Sequence, residues 1–423
     1  PPLLHSPSTA VILHAQGNIE TVQEEAVLSE KSRPVIEATA EVVASHMDQI
    51  TPKFYGHMFE AHPELLNGVF SRANQRTGEQ PRALAGSIVR FAVHLLEHPD
   101  SYPEAVLSRI AHKHTSLGIT EDQYQIVYEN LFWAIGDTLG DAVTPEVAEA
   151  WTEVYWLMAD ALIKLEKGLY SKQANDRMWT PWKVESKERA GNSAYTFRLV
   201  PADETPATAG EPGQYVSVRL PVADGLLQAR QYSLSSDAAS DRVRVITVKR
   251  DDDGEVSPVL HDSVQVGDTI DVSNPYGDLT LATVSAHEER PLVLATAGIG
   301  ITPAASILQD LAESGSQRRV IALHADRSAA SLTLADQVRD SIDRLPQGEL
   351  HLWLDSTVDS PEEFGARQGR MDIAQADIPQ DADVMLCGPL PFMQAARSAL
   401  IEAGVPATQI HYEIFGPDLW LAA

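Results

Sequence analysis

The sequence contains a single cysteine, Cys387, among 423 residues. A disulfide within the chain is therefore excluded, and so is a zinc or iron–sulfur site built on cysteine ligands. Such a composition is typical of proteins that work in a reducing compartment. We therefore expect a cytoplasmic protein.

Positive charge is also scarce, because Lys and Arg number 32 against 60 Asp and Glu, which gives a formal net charge of −28. This charge repels phosphate backbones, so we expect no nucleic-acid partner. No apolar run approaches the ~20 residues that a transmembrane helix needs. The first Lys or Arg is Lys31, so a secretory signal with a basic flank is not expected either.

The first part of the chain has helical periodicity. Residues 1–30 show neither helical nor strand spacing and are predicted to be an N-terminal extension. Apolar residues then recur at helical spacing, which predicts an all-α domain over 31–172. Thr51 and Pro52 suggest the cap and first residue of a second helix. Further helices are predicted over roughly 80–97, 103–115, 121–139 and 145–169.

The period changes to two after an irregular segment, 171–183. Short β-branched runs such as YTFRLV and RVRVITVKR, separated by Gly, Pro and Asp turns, predict an antiparallel β-barrel over 178–286. Strands and helices alternate over 287–423, beginning with the apolar strand PLVLATAG, which predicts a doubly wound parallel sheet. The predicted fold class is therefore multidomain: all-α, then an antiparallel barrel, then α/β.

A glycine-rich turn follows the first apolar strand of the α/β part. Gly298 and Gly300 would let the backbone approach a pyrophosphate, and the next helix offers its N-terminal N–H groups to the anion. Pro303 replaces the last glycine of the common dinucleotide motif, so a turn with a purely structural role remains the alternative. Cys387 and Gly388 end a later strand at the ligand-binding edge of such sheets. A buried apolar cysteine is the alternative.

The barrel part contains a candidate flavin-binding motif, Arg230-Gln231-Tyr232-Ser233. It combines a cation for a phosphate, an aromatic ring and a hydroxyl. Tyr215 precedes it, and Gly254 and Ser257 follow it at a turn. Each element alone is weak, since a tyrosine on a strand is usually part of the core.

The helical part offers one candidate iron ligand. His114 lies seven residues after Leu107 and four after Ile110, on the apolar face, whereas His112 points away. Tyr124 and Glu166 lie on the apolar faces of two later helices, where a carboxylate is costly unless it is paired. The Glu166 carboxylate could accept a hydrogen bond from the ring N–H of His114, and the Tyr124 hydroxyl could complete this set. A hydrogen-bonded core histidine and a solvent-facing glutamate are the alternatives.

In this order the motifs resemble ferredoxin-reductase-like flavoproteins over about 180–417 and, with the helical part, flavohaemoglobins over about 33–417. The resemblance implies haem b, FAD and NADH or NADPH as cofactors, with His114 as the axial ligand of iron. It implies Tyr55, Gln80, Tyr124 and Glu166 as catalytic residues. It implies these cofactor-binding positions: Phe70, Leu84, Lys113, Tyr215, Arg230, Gln231, Tyr232, Ser233, Gly254, Ser257, Gly298, Ile299, Gly300, Ile301, Thr302, Pro303, Cys387, Gly388, Glu413, Ile414, Phe415, Gly416 and Pro417.

One departure from the family pattern concerns the residue after Gln80. Pro81 is tolerated only in the first turn of a helix, so this helix is predicted to start near Thr77–Gln80. The pose of Gln80 is open for the same reason.

The resemblance implies a nitric oxide dioxygenase, which oxidises nitric oxide to nitrate with dioxygen and NAD(P)H. The alternatives are a flavohaem reductase for peroxides, ferric chelates or quinones, and a haem-based sensor of oxygen or nitric oxide. Small molecules are the expected partners of an expected monomer, with a lipid as a further candidate in the distal haem pocket. Arg327 and Ser328 could meet a 2′-phosphate, which leaves the choice of NADH or NADPH open.

Overall fold

The computed structural model describes residues 28–68, 70, 79–284, 289–355 and 361–416. The predicted extension up to residue 27 and Pro417 lie outside this range, as does the side chain of Gln80. The predicted order of an all-α part, an antiparallel barrel and a parallel α/β sheet is confirmed.

Five long helices build the described part of the N-terminal domain around one core. Thr120 begins the fourth with a reciprocal cap to Gln123, and Thr144 caps the fifth through Val147 N. Gly118 ends the third in the left-handed conformation (φ 77°). The helices are α1 (Arg33–Ala61), α2 (Glu79–Glu97), α3 (Glu104–Leu117), α4 (Glu121–Leu139) and α5 (Pro145–Ser171).

The separate helix predicted from Thr51 is wrong, because α1 continues through Pro52. Thr51 is not a cap: its hydroxyl donates to the Met47 carbonyl within the helix, at 2.7 Å. Proline removes one backbone hydrogen bond, but Ile50 and Phe54 on either side are both buried in the same core. Packing therefore outweighs the local signal to stop. Helix α2 begins at Glu79, which places Pro81 in the first turn, as predicted.

A closed antiparallel barrel follows, with alternate side chains such as Val184, Phe197 and Ile246 in its core. Its strand order is β1-β2-β5-β4-β3-β6. The strands are β1 (Thr180–Arg189), β2 (Ala194–Pro201), β3 (Tyr215–Pro221), β4 (Leu227–Ser236), β5 (Arg244–Lys249) and β6 (Thr269–Val272), and the short helices α6 (Val256–Asp262) and α7 (Leu281–Val284) accompany them.

The C-terminal part is a six-stranded parallel sheet in the order β10-β9-β8-β7-β11-β12. Its central strands are apolar because both faces are covered. The strands are β7 (Leu292–Ala297), β8 (Val320–Asp326), β9 (Gly348–Leu354), β10 (Ala366–Gln368), β11 (Asp383–Cys387) and β12 (Ile410–Glu413), and the helices are α8 (Ile301–Glu313), α9 (Ala335–Arg344) and α10 (Leu390–Glu402).

The chain order of this sheet reverses between β7 and β11, so the turns after these two strands meet at its switch point. Across the part of the chain that the structure describes, no helix is long and apolar enough to cross a bilayer.

Candidate active site

A cavity of about 260 Å³ opens inside the N-terminal helical domain. Its wall is mainly apolar, so water gains little there and a flat apolar ligand would gain a large contact area. One imidazole, that of His114, belongs to the wall. The lining residues are Phe54, Tyr55, Leu65, Phe70, Ala83, Leu84, Ser87, Ile88, Val106, Arg109, Ile110, Lys113, His114, Leu117, Ile119, Gln123, Tyr124, Val127, Tyr155, Met158, Ala159 and Leu162.

The structure brings His114, Tyr124 and Glu166 together from three different helices. His114 Nδ1 lies 2.8 Å from Glu166 Oε1 and 3.0 Å from the Tyr124 hydroxyl. The Tyr124 hydroxyl donates to the same carboxylate oxygen at 2.6 Å. Because Nδ1 is engaged on this side, the opposite ring nitrogen, Nε2, is the one left for a metal in the cavity.

Burial determines the protonation state of the Tyr124 phenol. Burial raises the pKa of Tyr124 far above its usual range, and the neighbouring Glu166 carboxylate raises it further. The phenol therefore remains a donor at physiological pH. Glu166 is itself buried, and its two short hydrogen bonds compensate a carboxylate that would otherwise be costly in an apolar wall. Tyr155 holds the backbone of Tyr124 in place by donating to its carbonyl at 2.6 Å.

Tyr55, Phe70 and Leu84, which the resemblance also implies for the site, lie on the wall of the same cavity. Tyr55 and Phe70 contact each other edge to face, with ring centroids 5.9 Å apart. Leu84 lies on the same wall, on helix α2. Gln80 is on the first turn of that helix, and its side chain lies outside the described residues. This wall and the single imidazole together fit a haem held by one axial histidine.

A second, smaller pocket lies where the barrel meets the last strand of the sheet. It is lined by Lys113, Tyr215, Gln231, Ser233, Glu413, Ile414 and Phe415. The hydroxyl of Ser233 is buried there and has no hydrogen-bond partner among the described residues. A buried polar atom of this kind calls for a ligand, and the aromatic and polar lining fits a flavin ring.

The motif that ends in Ser233 lies on strand β4. Arg230 donates to the carbonyl of Ala229 at 2.7 Å, and its Nη2 lies 3.9 Å from a carboxylate oxygen of Glu255. Burial raises the pKa of the neighbouring Tyr232, which stays a neutral phenol. Arg230 thus has a countercharge that keeps it in place for a phosphate.

The turn with Gly254 and Ser257 leads into helix α6. Ser257 is buried and closes this turn, because its hydroxyl accepts from Asp251 N at 3.0 Å. Gly254 N donates to the Asp251 carbonyl at 3.1 Å. The turn follows strand β5 and lies beside Glu255, so it belongs to the neighbourhood of Arg230.

Two acidic groups near the small pocket are shifted by burial. Burial raises the pKa of Glu413 to about 7; the Asp278 carboxylate adds to this effect, while the cations Lys113 and Arg109 oppose it. The Glu413 carboxylate accepts from Ile414 N at 3.0 Å. Burial also raises the pKa of Cys387 well above its usual range, so it remains a thiol. Cys387 pairs with Glu413 in the register of β11 and β12.

The glycine-rich turn lies at the switch point of the parallel sheet. Gly298 adopts a left-handed φ of 54°, and a 3₁₀ turn leads from it into helix α8. Gly300 packs so tightly on strand β11 that a Cβ there would lie 2.3 Å from the Cys387 carbonyl oxygen. Ile299 is partly buried, and Ile301, Thr302 and Pro303 are buried at the helix start. The N–H groups of this turn could therefore hold a pyrophosphate. Gly388 follows β11 on the other side of the switch point.

The two pockets meet at helix α3. Lys113 lines both of them, and its ammonium donates to the carbonyls of Ile414, at 3.4 Å, and Gly416. Phe415, between these two residues, is exposed. The lysine therefore fastens the C-terminal end of the described chain to the helix that carries His114.

Three contacts of helix α3 were not expected from the sequence. The guanidinium of Arg109 lies 4.0 Å from the ring centroid of Tyr412. Gly277 N donates to His112 Nδ1 at 2.9 Å, and Gln231 donates to the Ser116 hydroxyl at 3.3 Å. The helical spacing of these residues could be predicted from the sequence, but their partners lie over 100 residues away.

Among the described residues, no group of three or more His, Cys, Asp or Glu could bind a metal ion.

Family models match each of the three parts of the chain. The globin model matches residues 52–162, the oxidoreductase FAD-binding domain model matches 181–281, and the oxidoreductase NAD-binding domain model matches 294–398. The chain therefore combines a haem-binding globin with a reductase that binds FAD and a nicotinamide cofactor.

Two relatives that are named flavohaemoproteins match nearly the whole chain. The flavohaemoprotein of Chromobacterium violaceum is 41% identical over 92% of this chain and 98% of its own length. That of Rhizobium meliloti is 38% identical, over 93% of this chain and all of its own.

Two solved structures are also similar. A flavohaemoglobin from Malassezia yamatoensis with bound FAD and haem is 44% identical and covers 92% of this chain and all of its own, with a TM-score of 0.88. The FAD/NAD-binding domain of a nitric oxide dioxygenase from Vibrio cholerae is 34% identical and covers 57% of this chain and all of its own, with a TM-score of 0.52.

Proposed function

The chain belongs to the flavohaemoprotein family, and from that premise we propose that it is a nitric oxide dioxygenase that detoxifies nitric oxide. Membership of the family itself implies the general activity, that of a flavin-dependent oxidoreductase with a globin domain. The Vibrio cholerae relative, whose reductase part is 34% identical, is named a nitric oxide dioxygenase. In the balanced reaction one NAD(P)H gives two electrons, and two nitric oxides and two dioxygens become two nitrates.

The bound cofactors together supply a two-electron donor, a flavin that divides the pair and an iron centre that takes single electrons. The protein's part is to place them. His114 would bind iron through Nε2, while Glu166 and Tyr124 fix the ring from behind at 2.8 and 3.0 Å. A carboxylate on the far nitrogen gives the imidazole imidazolate character and makes it a stronger donor.

The opposite wall would control the oxygen side. Tyr55 carries a hydroxyl on this wall, and Phe70 contacts its ring edge to face. Leu84 narrows the space beside it and keeps it apolar. A hydroxyl in such surroundings donates a strong hydrogen bond to a partly negative oxygen atom. Gln80 is proposed as the second donor on this side, from its position at the start of α2.

The reductase residues would bind the other two cofactors. Arg230 is proposed for a flavin phosphate, and Ser233, Tyr215, Gln231 and Tyr232 for the flavin itself. The Gly254–Ser257 turn would support the same phosphate region. Glu413, Ile414, Phe415, Gly416 and Pro417 are proposed beside the flavin ring, the segment 298–303 for the pyrophosphate of NAD(P)H, and Cys387 and Gly388 for its nicotinamide.

The observation that carries this proposal is the bond between His114 Nδ1 and the buried Glu166 carboxylate, because His114 lines an apolar cavity that shares Lys113 with a flavin pocket. The test is the yield of nitrate per NADH oxidised when purified protein meets nitric oxide and dioxygen. Two nitrates per NADH are expected. NADH oxidation without nitrate, at the same rate with ferric citrate or a quinone as acceptor, would instead assign a general reductase.

A second test removes the proposed iron ligand in the variant His114→Ala. It should lose the Soret band and the formation of nitrate, because among the described residues no other histidine lines the cavity. Its flavin content and its reduction of ferricyanide by NADH should persist. A variant that still makes nitrate at the wild-type rate would exclude the assigned haem site.

A further inference from the structure

Helix α3 presents two different faces. Ile110, His114 and Leu117 line the globin cavity. Arg109, His112, Lys113 and Ser116 contact the reductase, and their spacing of three, one and three residues defines one side of a helix. We call these four residues the docking face. The helix that offers the iron ligand is thus also the helix that meets the flavin side.

Within the docking face, His112 and Ser116 are the two residues that do not line the cavity. The bond of His112 is the shorter, since Gly277 N donates to His112 Nδ1 at 2.9 Å while the bond from Gln231 to Ser116 spans 3.3 Å. For Nδ1 to accept, the ring proton must be on Nε2.

The partner of His112 is part of the wall of the flavin pocket. Tyr276 and Tyr215 exchange two backbone hydrogen bonds, at 2.8 and 2.9 Å. Gly277 follows with a φ of 119°, and a Cβ there would lie 3.0 Å from the Tyr215 ring. The Gln214 amide donates to the Gly277 carbonyl at 3.2 Å. A bond to Gly277 therefore joins helix α3 to a turn that packs on the Tyr215 ring, which lines the flavin pocket.

We propose that His112 is a positioning residue that docks the His114 helix on the flavin-binding turn through its Nδ1 bond to the Gly277 amide, and thereby sets the rate of electron transfer from flavin to haem. The proposal rests on the electron path of the proposed function, although it needs neither nitric oxide nor dioxygen. Displacements of about an ångström between reacting groups change rates by orders of magnitude, so one hydrogen bond at this position has kinetic weight.

Two variants of the same residue separate the hydrogen bond from mere bulk. His112→Leu fills the space but accepts nothing. His112→Asn places Oδ1 close to the position of Nδ1, so it restores an acceptor for Gly277 N. His98→Leu, at an exposed histidine that directly follows the end of helix α2, is the matched control.

The measurement is anaerobic stopped-flow mixing of the holoenzyme with NADH, which follows flavin reduction and haem reduction as separate phases. In His112→Leu the haem phase should slow about tenfold, because a buried donor has lost its acceptor. The flavin phase, the Soret band and the flavin content should not change. His112→Asn should return to within about threefold of the wild-type rate, as a neutral acceptor replaces another.

A wild-type haem phase in His112→Leu, or an Asn variant as slow as the Leu variant, would overturn the proposal. If His112→Leu does not retain both cofactors, hydrogen exchange of the wild-type holoenzyme decides. The Gly277 amide should then be protected to the same degree as the paired Tyr276 amide, and rapid exchange at Gly277 would overturn the proposal. Because these experiments contain no nitric oxide, their outcomes do not depend on whether the protein forms nitrate.

Discussion

Glu166 lies on the apolar side of helix α5, where an unpaired carboxylate would be destabilising. Its two partners, His114 and Tyr124, come from two other helices. The same bonds that compensate the buried charge also orient the imidazole. One oxygen atom, Oε1, therefore both stabilises the fold and orients the proposed iron ligand.

Replacing the charge but not the shape tests this double role. In Glu166→Gln the amide oxygen can still accept from His114 and Tyr124, so haem content should hold. The neutral amide gives the imidazole less anionic character, and we expect turnover to fall about tenfold. The iron–histidine stretching frequency in resonance Raman spectra should also fall. Glu149→Gln, an exposed change on the same helix, is the control. Unchanged frequency and turnover would contradict the role.

Glu413 predicts a pH dependence of stability. Burial raises its pKa to about 7 in the folded protein, against 4.5 for an ordinary glutamate. Between these two values the unfolded chain releases a proton that the folded chain retains. The free energy of unfolding therefore falls as pH rises through this window, by roughly 3 kcal/mol in all, and levels off above pH 7.

Glu413→Gln should remove this contribution. Relative to the wild type, the variant should gain stability steadily between pH 4.5 and 7, as followed by urea unfolding at several pH values. Glu402→Gln, an exposed carboxylate nearby in the chain, should follow the wild-type curve. Parallel curves for Glu413→Gln and the wild type would show that the buried carboxyl titrates normally.

At the scale of the element, Gly300 in the junction between strand β7 and helix α8 has no room for a side chain. In Gly300→Ala the new Cβ would meet the Cys387 carbonyl, so the turn and strand β11 must move apart. The Michaelis constant for NADH should rise at least about tenfold, because the N–H groups for the pyrophosphate are displaced. FAD and haem content should hold.

Gly315→Ala is the matched control for this change. Gly315 follows the other end of helix α8 and has open space around its Cβ position, although its φ of 69° makes alanine costly by about 1 kcal/mol. It should therefore lower stability slightly and leave the Michaelis constant unchanged. An unchanged Michaelis constant in Gly300→Ala would mean that this turn does not bind the pyrophosphate.

Helices and strands were predictable from the local sequence pattern wherever that pattern and the packing of the core favour the same structure. Helix α2 starts where Pro81 permits, and the alternating runs became barrel strands. Pro52 shows the opposite case, because the local signal for a helix start was overruled by buried neighbours along a continuous apolar stripe. A sequence shows the cost of such a proline but not the packing that offsets it.

At the scale of the whole molecule, chain order of the motifs was enough to indicate three domains and their cofactors. The docking contacts were not predictable. His112 was expected to point away from the haem side, but nothing near it in sequence indicates Gly277 as its partner. Glu255, close to Arg230 in space, was missed for the same reason. Such pairs depend on how separate domains meet, which local periodicity does not encode.

Separate cores predict that the cofactor sites fail independently. The globin and barrel cores share no residue, and Arg230 donates to Ala229 and faces Glu255, both in the barrel domain. Arg230→Ala removes a cation proposed for a flavin phosphate and leaves the Glu255 carboxylate without that countercharge, so the site becomes repulsive to anions.

FAD affinity of Arg230→Ala should therefore fall at least about tenfold, since a charged hydrogen bond is lost. The absorbance ratio of flavin to haem after gel filtration measures this loss. The Soret band and oxygen binding by chemically reduced protein should match the wild type. Arg189→Ala, an exposed arginine of the same barrel, should keep its flavin. If haem were lost together with flavin, the two domains would be one cooperative unit, and the docking face of helix α3 would be the place where that cooperativity arises.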